Sequence, residues 1–416
     1  MAASNDLPQI GIICDTVPYP TRSGDNQRIA ELIGVLRERR CYVHLVLCGF
    51  VDSRLRKICR SHVDALHVYS GRGLKTRLRN AARYTVRLAD RAGAVLGIPP
   101  LEEIAKRVLG HSMTPFIIDY WQRYPKGLDD FVAELSRRFQ WKAVIVEYIW
   151  LHQAIDKLNG SVLTLLDTHD VQHKRVEEFA SRAMTFPLSI TRETESRIFS
   201  RFKAVIAIQT AETAVIRDMC PQLRILTVGS SGGPRNGGAT SFPVAGRILY
   251  VGGYNGANFD GLERFLNSIW PKIRENSPEA ELYVCGHVYR AFLGRRFSNV
   301  VFLGHKENIE KEYAEATVVI NPAWIGTGLK IKTVEALARG KALVTTPKGI
   351  EGLPDDVEQS SRVTDDDDKF ATEVIRLLTD HGWRERLCAS AATFAINRLN
   401  KPAVYRELFD YLDEHK

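Results

Sequence analysis

Short apolar runs of strand length alternate with segments of helical period through the first 228 residues. QIGIIC, YVHLVLC, AVIVE, SVLTLL, AVIAI and RILTV read as buried strands, and stretches such as DNQRIAELIGVLRERR between them repeat their apolar positions every three or four residues. Strands separated by helices predict a parallel sheet covered on both faces. The alternation stops at GSSGGPRNGGATSFPVAG, residues 229–246, a segment dense in glycine with two prolines and almost no helix or strand formers. It resumes with RILYV, a helix in FDGLERFLNSIWPKIREN, then ELYVC, NVVFL, TVVI and KALVTT, each followed by helical sequence. The chain ends in three helical stretches, DDDDKFATEVIRLL, WRERLCASAATFAINRL and PAVYRELFDYLDEH. The expectation is two α/β domains, and ligands of such sheets bind beyond the carboxyl ends of the strands.

A length of 416 residues suits two domains that each bury a core, and 44% hydrophobic with 25% charged residues is ordinary for a globular chain. No apolar run reaches the eighteen or so residues of a membrane span, and MAASNDLPQI lacks the features of a secretory signal, so a cytoplasmic protein is expected. The seven cysteines are scattered, without CxxC or zinc-ligand spacing, which predicts reduced thiols.

Charge changes this picture in one place. The net charge is +8, and residues 1–110 carry all of it, with 18 Lys+Arg against 10 Asp+Glu. In RGLKTRLRNAARYTVRLADR, Lys75, Arg79, Arg83 and Arg87 recur at helical spacing and form one basic stripe. Such a stripe is either a solvated face or a surface that meets anionic head groups or a phosphorylated acceptor. Nucleic acid is disfavoured, because no aromatic platform or binding motif accompanies the charge.

The candidate chemistry lies in the loops after strands. After QIGIIC, Gly24 opens a helix whose free N–H groups suit an anion. After SVLTLL comes DTHDVQHKR, where His169 or Asp170 can take or position a substrate hydroxyl, Asp170 being also a candidate N-cap of the following helix. DDDD at 365–368 precedes a helix, so capping and the helix dipole account for it without a metal. After TVVI, the stretch NPAWIGTGLKIKTVEALARG places Gly326-Thr327-Gly328 at a helix N-terminus, with Leu329, Val334, Leu337 and Ala338 facing inward and Gly340 as the stop. That turn can cradle a diphosphate on backbone N–H groups, with Lys330 or Lys332 for charge. Glu335, two turns in, is placed to accept hydrogen bonds from vicinal hydroxyls.

NPAWIGTGLKIKTVEALARGKALVTTPKGIEGL resembles the carboxyl-terminal signature of retaining, family-four-type glycosyltransferases of the GT-B fold, the bacterial subset that carries GTGLK. The likeness extends to RILYVGGYNGANFDGLERFLNSIWPKIREN, ELYVCG and NVVFLGHKENIEKEYAEATVVINP, and more loosely to PYPTRSGDNQR and DTHDVQHKR. It implies two Rossmann-like domains facing a cleft: residues 1–228 on the acceptor side, a linker at 229–246, residues 247–395 on the donor side, and 396–416 as a helix returning to the first domain. It further implies Glu335 on the donor ribose, the amides of Leu329 and Lys330 on the diphosphate, and His169 near the transferred sugar. Phe302, Gly304 and His305 would line the base pocket and Gly286 would end the strand before it.

Two departures accompany the resemblance. Thr327 stands where the family often has a sugar-binding glutamate, and GGYNGANFDG lacks the family's Arg/Lys pair for the diphosphate, which makes Lys330 the first candidate for that charge and Lys332 the second. The resemblance implies a metal-independent, cofactor-free retaining transfer from a nucleotide sugar to an acceptor hydroxyl, and together with the basic stripe it makes a glycan or lipid-linked acceptor in a cell-envelope pathway, at the inner face of the membrane, the expectation. A nucleotide-sugar epimerase or hydrolase on the same fold, or a binding protein without activity, are the rival readings.

Overall fold

The structure is a computed structural model and describes residues 7–21, 24–49, 51–70, 124–181, 188–232, 242–306 and 308–415. The basic stripe of Lys75, Arg79, Arg83 and Arg87 lies outside the described residues. The chain divides into two compact units: residues 1–228 with 407–416, and residues 229–406. The second unit thus keeps the helix His381–Arg398 and the turn Lys401–Val404, and only 407–416 belong with the first, against the expected division at 396.

The first unit is a seven-stranded parallel sheet: β1 (Gln9–Cys14), β2 (Tyr42–Cys48), β3 (Ala65–Tyr69), β4 (Ala143–Glu147), β5 (Leu163–Asp167), β6 (Ala204–Ala207) and β7 (Arg224–Thr227). Their order is β3-β2-β1-β4-β5-β6-β7. Each apolar run read from the sequence forms one of these strands, because a parallel strand covered on both faces has no solvent side to alternate with. β4 is buried at every position, with Ile145 and Val146 at its centre. Gly11 in β1 is the exception that packing requires, since a Cβ there would stand 2.6 Å from the Trp141 ring.

The second unit repeats the plan with six parallel strands: β8 (Arg247–Val251), β9 (Glu281–Cys285), β10 (Val300–Gly304), β11 (Val318–Asn321), β12 (Leu343–Thr345) and β13 (Arg362–Val363), ordered β10-β9-β8-β11-β12-β13. The helical stretch after β8 runs from Gly256–Arg264 through one π turn, Phe265–Ile269, into Trp270–Asn276. Pro271, the second residue after the π turn, lacks the N–H that a regular ladder would use. Asp366 caps the helix Asp367–Thr379 by accepting from the Lys369 N–H, while Asp367 and Asp368 pair with Arg264 and Lys272 of the helical stretch after β8.

In both sheets the strand order reverses once, between β1 and β4 in the first and between β8 and β11 in the second. Loops that leave adjacent strands in opposite directions open a crevice at that point. All seven cysteines are free, and five of them are buried. None of the described helices is long and apolar enough to cross a membrane.

Candidate functional site

In the first unit, the polar cluster forms where β4 and β5 end. Their last residues, Glu147 and Asp167, are paired in register, so two buried carboxylates lie side by side. Each has its own base. Arg28, from the helix Gly24–Glu38, grips Asp167 with two hydrogen bonds, Nε to Oδ2 at 2.9 Å and Nη2 to Oδ1 at 3.0 Å. His169 donates from Nε2 to Glu147 Oε2 at 2.6 Å. Donor atoms of Glu147, Asp167 and His169 lie within 4.8 Å of one another, a spacing that suits one metal ion. The Arg28 fork already takes both Asp167 oxygens, and the guanidinium supplies the positive charge a metal would bring.

Burial, reinforced by Asp167, raises the pKa of Glu147 above the usual carboxylate range despite His169 and Arg28. Burial alone would lower that of His169, but Asp167 and the hydrogen bond to Glu147 outweigh it and raise the imidazole above its ordinary value. The rings are stacked in series: Tyr148 lies 3.9 Å from His169 and 4.1 Å from Trp150, both at 14°. Trp150 is anchored by Nε1 donating to Asp15 Oδ2 at 3.0 Å.

The helix after β5, Gln172–Ser181, is capped from a distance. Glu195 accepts from the N–H groups of Gln172 (2.7 Å) and His173 (2.9 Å), and Glu212 accepts from Val171 N–H (3.2 Å). The expectation that Asp170 caps this helix is therefore corrected: Asp170 instead accepts from Arg175 Nη1 at 2.7 Å, one turn on. Burial, then Asp170, pushes the Glu212 carboxyl up to about 8. Gly24 is the first residue of its helix, on the element that also delivers Arg28.

In the second unit, β11 leads through residues 322–330 into the helix Ile331–Ala338. Gly326 (φ 106°) and Gly328 (φ 72°) both occupy backbone conformations that favour glycine. Leu329, Val334, Leu337 and Ala338 are buried, and Gly340 (φ 61°) ends the helix with its N–H on the Leu337 carbonyl. Among the described residues, the N–H groups of Gly328 and Leu329 make no hydrogen bond.

Lys330 does not extend from this loop. Its Nζ donates to the carbonyls of Gly326 (2.9 Å), Thr327 (3.3 Å) and Gly328 (2.7 Å) and stands 3.8 Å from the Glu351 carboxylate. The lysine expected to face a diphosphate is thus the clip that folds the glycine turn. Lys332 reaches across to β8 and the helix after it, donating to the Tyr250 hydroxyl (3.3 Å) and to Asn258 Oδ1. Burial, then the Lys330 charge, lowers its amine to about 7. Glu335 accepts from the Tyr313 hydroxyl at 3.1 Å, which orients its carboxylate.

On the other flank of this sheet, Gly286 (φ 99°) lies so close to Gly252 that a Cβ would strike the Gly252 carbonyl oxygen. Its N–H donates to the Gly304 carbonyl at 2.8 Å, and His305 stacks on His287 at 4.7 Å, while Phe302 stacks on Phe292 at 5.8 Å. A groove of about 560 Å³ follows β12, lined among others by Lys348, Glu351, Asp355 and Glu358.

Residues 245–380 match the family model described as glycosyl transferases group 1. Over nearly its whole length the chain is similar to sucrose-phosphate synthase from Thermosynechococcus elongatus (15% identity, 98% of each chain, TM-score 0.65). It is likewise similar to Staphylococcus aureus TarM, solved as a mutant in complex with fondaparinux, α-GlcNAc-glycerol and UDP (8% identity, 98% and 100% of the chains, TM-score 0.68). A third likeness is to Anabaena HepE in complex with UDP and glucose (12% identity, 98% and 100%, TM-score 0.62). These likenesses establish the fold, GT-B. Among curated proteins, a 44.6 kDa protein in the cps region of Klebsiella pneumoniae is 22% identical over 173 residues, which is 39% of this chain and 45% of that relative.

Of the residues expected from sequence, the structure brings Gly326, Thr327, Gly328, Leu329, Lys330 and Glu335 into one loop and helix, and Gly286, Phe302, Gly304 and His305 to the ends of β9 and β10. His169 and Asp170 stand at the end of β5 in the first unit. Sequence reasoning missed Glu147, Arg28, Tyr148 and Tyr313. Only Glu147 had a visible signal, a carboxylate closing the apolar run AVIVE.

Proposed function

We propose that the protein transfers a sugar from a nucleotide donor to an acceptor hydroxyl, with retention of configuration and without a metal. The observation that carries this reading is the loop 322–330 at the strand-order reversal of the second sheet. Two glycines in left-handed conformations and the clip from Lys330 leave the Gly328 and Leu329 N–H groups unused at a helix N-terminus, an arrangement that suits a diphosphate. Glu335, held by Tyr313, is the ribose acceptor, and the Phe302–His305 segment lies beside the base.

In the first unit His169 is the group assigned to the transferred sugar. The direct counter-charge for the leaving diphosphate is assigned to the backbone dipoles and to Lys332, whose amine holds two side-chain oxygens, of Asn258 and Tyr250, rather than the three loop carbonyls and the nearby Glu351 that hold Lys330. The acceptor class that fits is a glycan or lipid-linked saccharide of the cell envelope, met at the cytoplasmic face of a membrane by the basic stripe. The UDP in the TarM and HepE structures and the cps-region relative support the donor and acceptor classes.

The test is a thermal-shift screen against UDP-, GDP-, ADP-, CMP- and dTDP-sugars, since a ligand of the folded state raises the melting midpoint. One nucleotide class should shift the protein and its sugar should be transferred to an acceptor glycan. Failure of every nucleotide to shift it would sink the reading.

A further inference from the structure

Both Tyr148 and His169 hold backbone conformations that residues with side chains rarely adopt, and the two rings stack on each other. Tyr148 has φ 69° with ψ 146°, a combination close to glycine-only territory, and His169 has φ 59°. Such a conformation is costly and persists only where the surroundings enforce it. Here they enforce one ring arrangement: Trp150 is pinned to Asp15, Tyr148 lies on Trp150, and His169 lies on Tyr148. Packing a core does not call for two strained residues in contact, whereas aiming an imidazole does.

The charges around the ring are arranged to the same end. Asp167 takes the hydrogen bonds of Arg28, so among the described residues the side-chain hydrogen bond to the neighbouring Glu147 carboxylate comes from His169 alone. Glu147 is fully buried and its second oxygen, Oε1, has no hydrogen-bond partner among the described residues. An unpaired carboxylate at this depth would be costly, and a proton on His169 Nε2 is what relieves it. The other ring nitrogen, Nδ1, makes no hydrogen bond among the described residues.

We infer that Glu147 is a positioning residue that fixes the His169 proton on Nε2 and thereby presents Nδ1 to a substrate hydroxyl, an assignment that rests on the sugar-transfer reading. The groups that bear on the ring are Glu147 from β4, Asp167 and its partner Arg28 from β5 and the first helix, with Tyr148 on its face. When the ring is neutral Nδ1 accepts, and when it is protonated Nδ1 donates, so the carboxylate behind the ring sets the pH at which the substrate meets one form or the other.

The test uses the full chain with ¹⁵N-labelled histidine and the variants Glu147→Gln and Glu147→Asp. In the parent protein His169 Nε2 should carry the proton at every pH sampled and the ring should titrate above its ordinary value of about 6.5. Glu147→Gln should lower that titration by about one unit or more and mix the two tautomers. Glu147→Asp keeps the buried charge, guards against loss of the fold and should give an intermediate shift. With UDP-glucose as the probe, Glu147→Gln should lower kcat about tenfold or more, leave the donor KM within about threefold, and move the acid limb of the pH profile; Glu147→Asp should recover part of the loss. An unchanged titration and tautomer in Glu147→Gln would overturn the inference, as would a raised KM with unchanged kcat. If the parent protein turns over no nucleotide sugar, the sugar-transfer reading fails on its own, and the histidine titration still decides whether Glu147 fixes the ring.

Discussion

Acid should destabilise the first unit through a histidine remote from the strand ends where its polar cluster forms. His44 is fully buried in β2, with its Nε2 on Gln9 Oε1 (2.8 Å) and its Nδ1 on His67 Nε2 (3.1 Å), among the rings of Tyr42, Phe139 and Trp141. Burial, then the His67 charge, lowers its pKa to about 4, and His67 is lowered as well, first by its own burial. A base whose folded pKa is depressed leaves the unfolded chain holding more protons between the two values, so stability rises with pH across about 4 to 6.5. The stability is fully present above about 6.5 and is lost as the pH falls toward 4. Between about pH 7.5 and pH 5 the loss from His44 alone is about 2 kcal/mol, from the ratio of proton binding in the two states. For a unit of this size that is a fall of about 4–8 °C in melting midpoint. Thermal unfolding followed by circular dichroism at those two pH values, in the parent and in His44→Gln, measures it. The variant should be less stable at pH 7.5 but lose clearly less on acidification. An equal loss in both proteins would refute the assignment.

Three further outcomes follow from the polar contacts. Lys330→Ala removes the amine that serves three carbonyls, so it should cost about 1.5–3 kcal/mol in urea unfolding of the second unit and weaken binding of the recognised nucleotide, whereas loss of binding with unchanged stability would make the lysine a direct ligand. Glu195→Gln weakens the cap on Gln172 and His173 and should cost about 1–2 kcal/mol, with faster amide exchange confined to the start of the helix Gln172–Ser181. Glu335→Gln should weaken nucleotide binding and narrow the preference for ribose over its deoxy analogues by calorimetry, and Tyr313→Phe should do the same to a smaller degree; retained preference in both would remove Glu335 from the ribose.

Eleven of the thirteen described strands were legible because a strand of a parallel sheet buried on both faces is a plain apolar run, as AVIVE and TVVI are, whereas the edge strands β3, half-buried over most of its length, and β13, two residues long, give no such run and were not read. The glycine turn was legible too, because Gly326 and Gly328 both occupy left-handed conformations and no other residue type is neutral there. What the sequence concealed was pairing between distant positions. Arg28 and Asp167 are 139 residues apart, and Glu195 caps a helix that begins 23 residues before it. Local spacing favoured Asp170 as that cap, because a capping aspartate is a local signal and a buried glutamate from another helix is not.

Lys330 shows how a side chain of the right charge at the right place can still have a different office. Its three carbonyl partners lie two to four residues before it, so a chain of this length and a compact ammonium with three donors can close the loop from its own C-terminal side. That arrangement turns the oxygens of residues 326–328 toward one cation, which is how consecutive N–H groups become available elsewhere on the loop. On the proposed reading the anion site is then made from backbone, and the lysine folds it rather than touching its ligand. On the proposed reading Lys332, with its amine lowered to about 7, is the direct charge. An arriving diphosphate would favour its protonated form, so nucleotide binding should take up a proton near neutral pH and weaken as the pH rises from about 6.5 to 8.5. Calorimetry in buffers of different ionisation enthalpy reads that uptake directly. Binding without proton uptake, and equally tight across the range, would leave the backbone as the site's only counterpart to the phosphate charge.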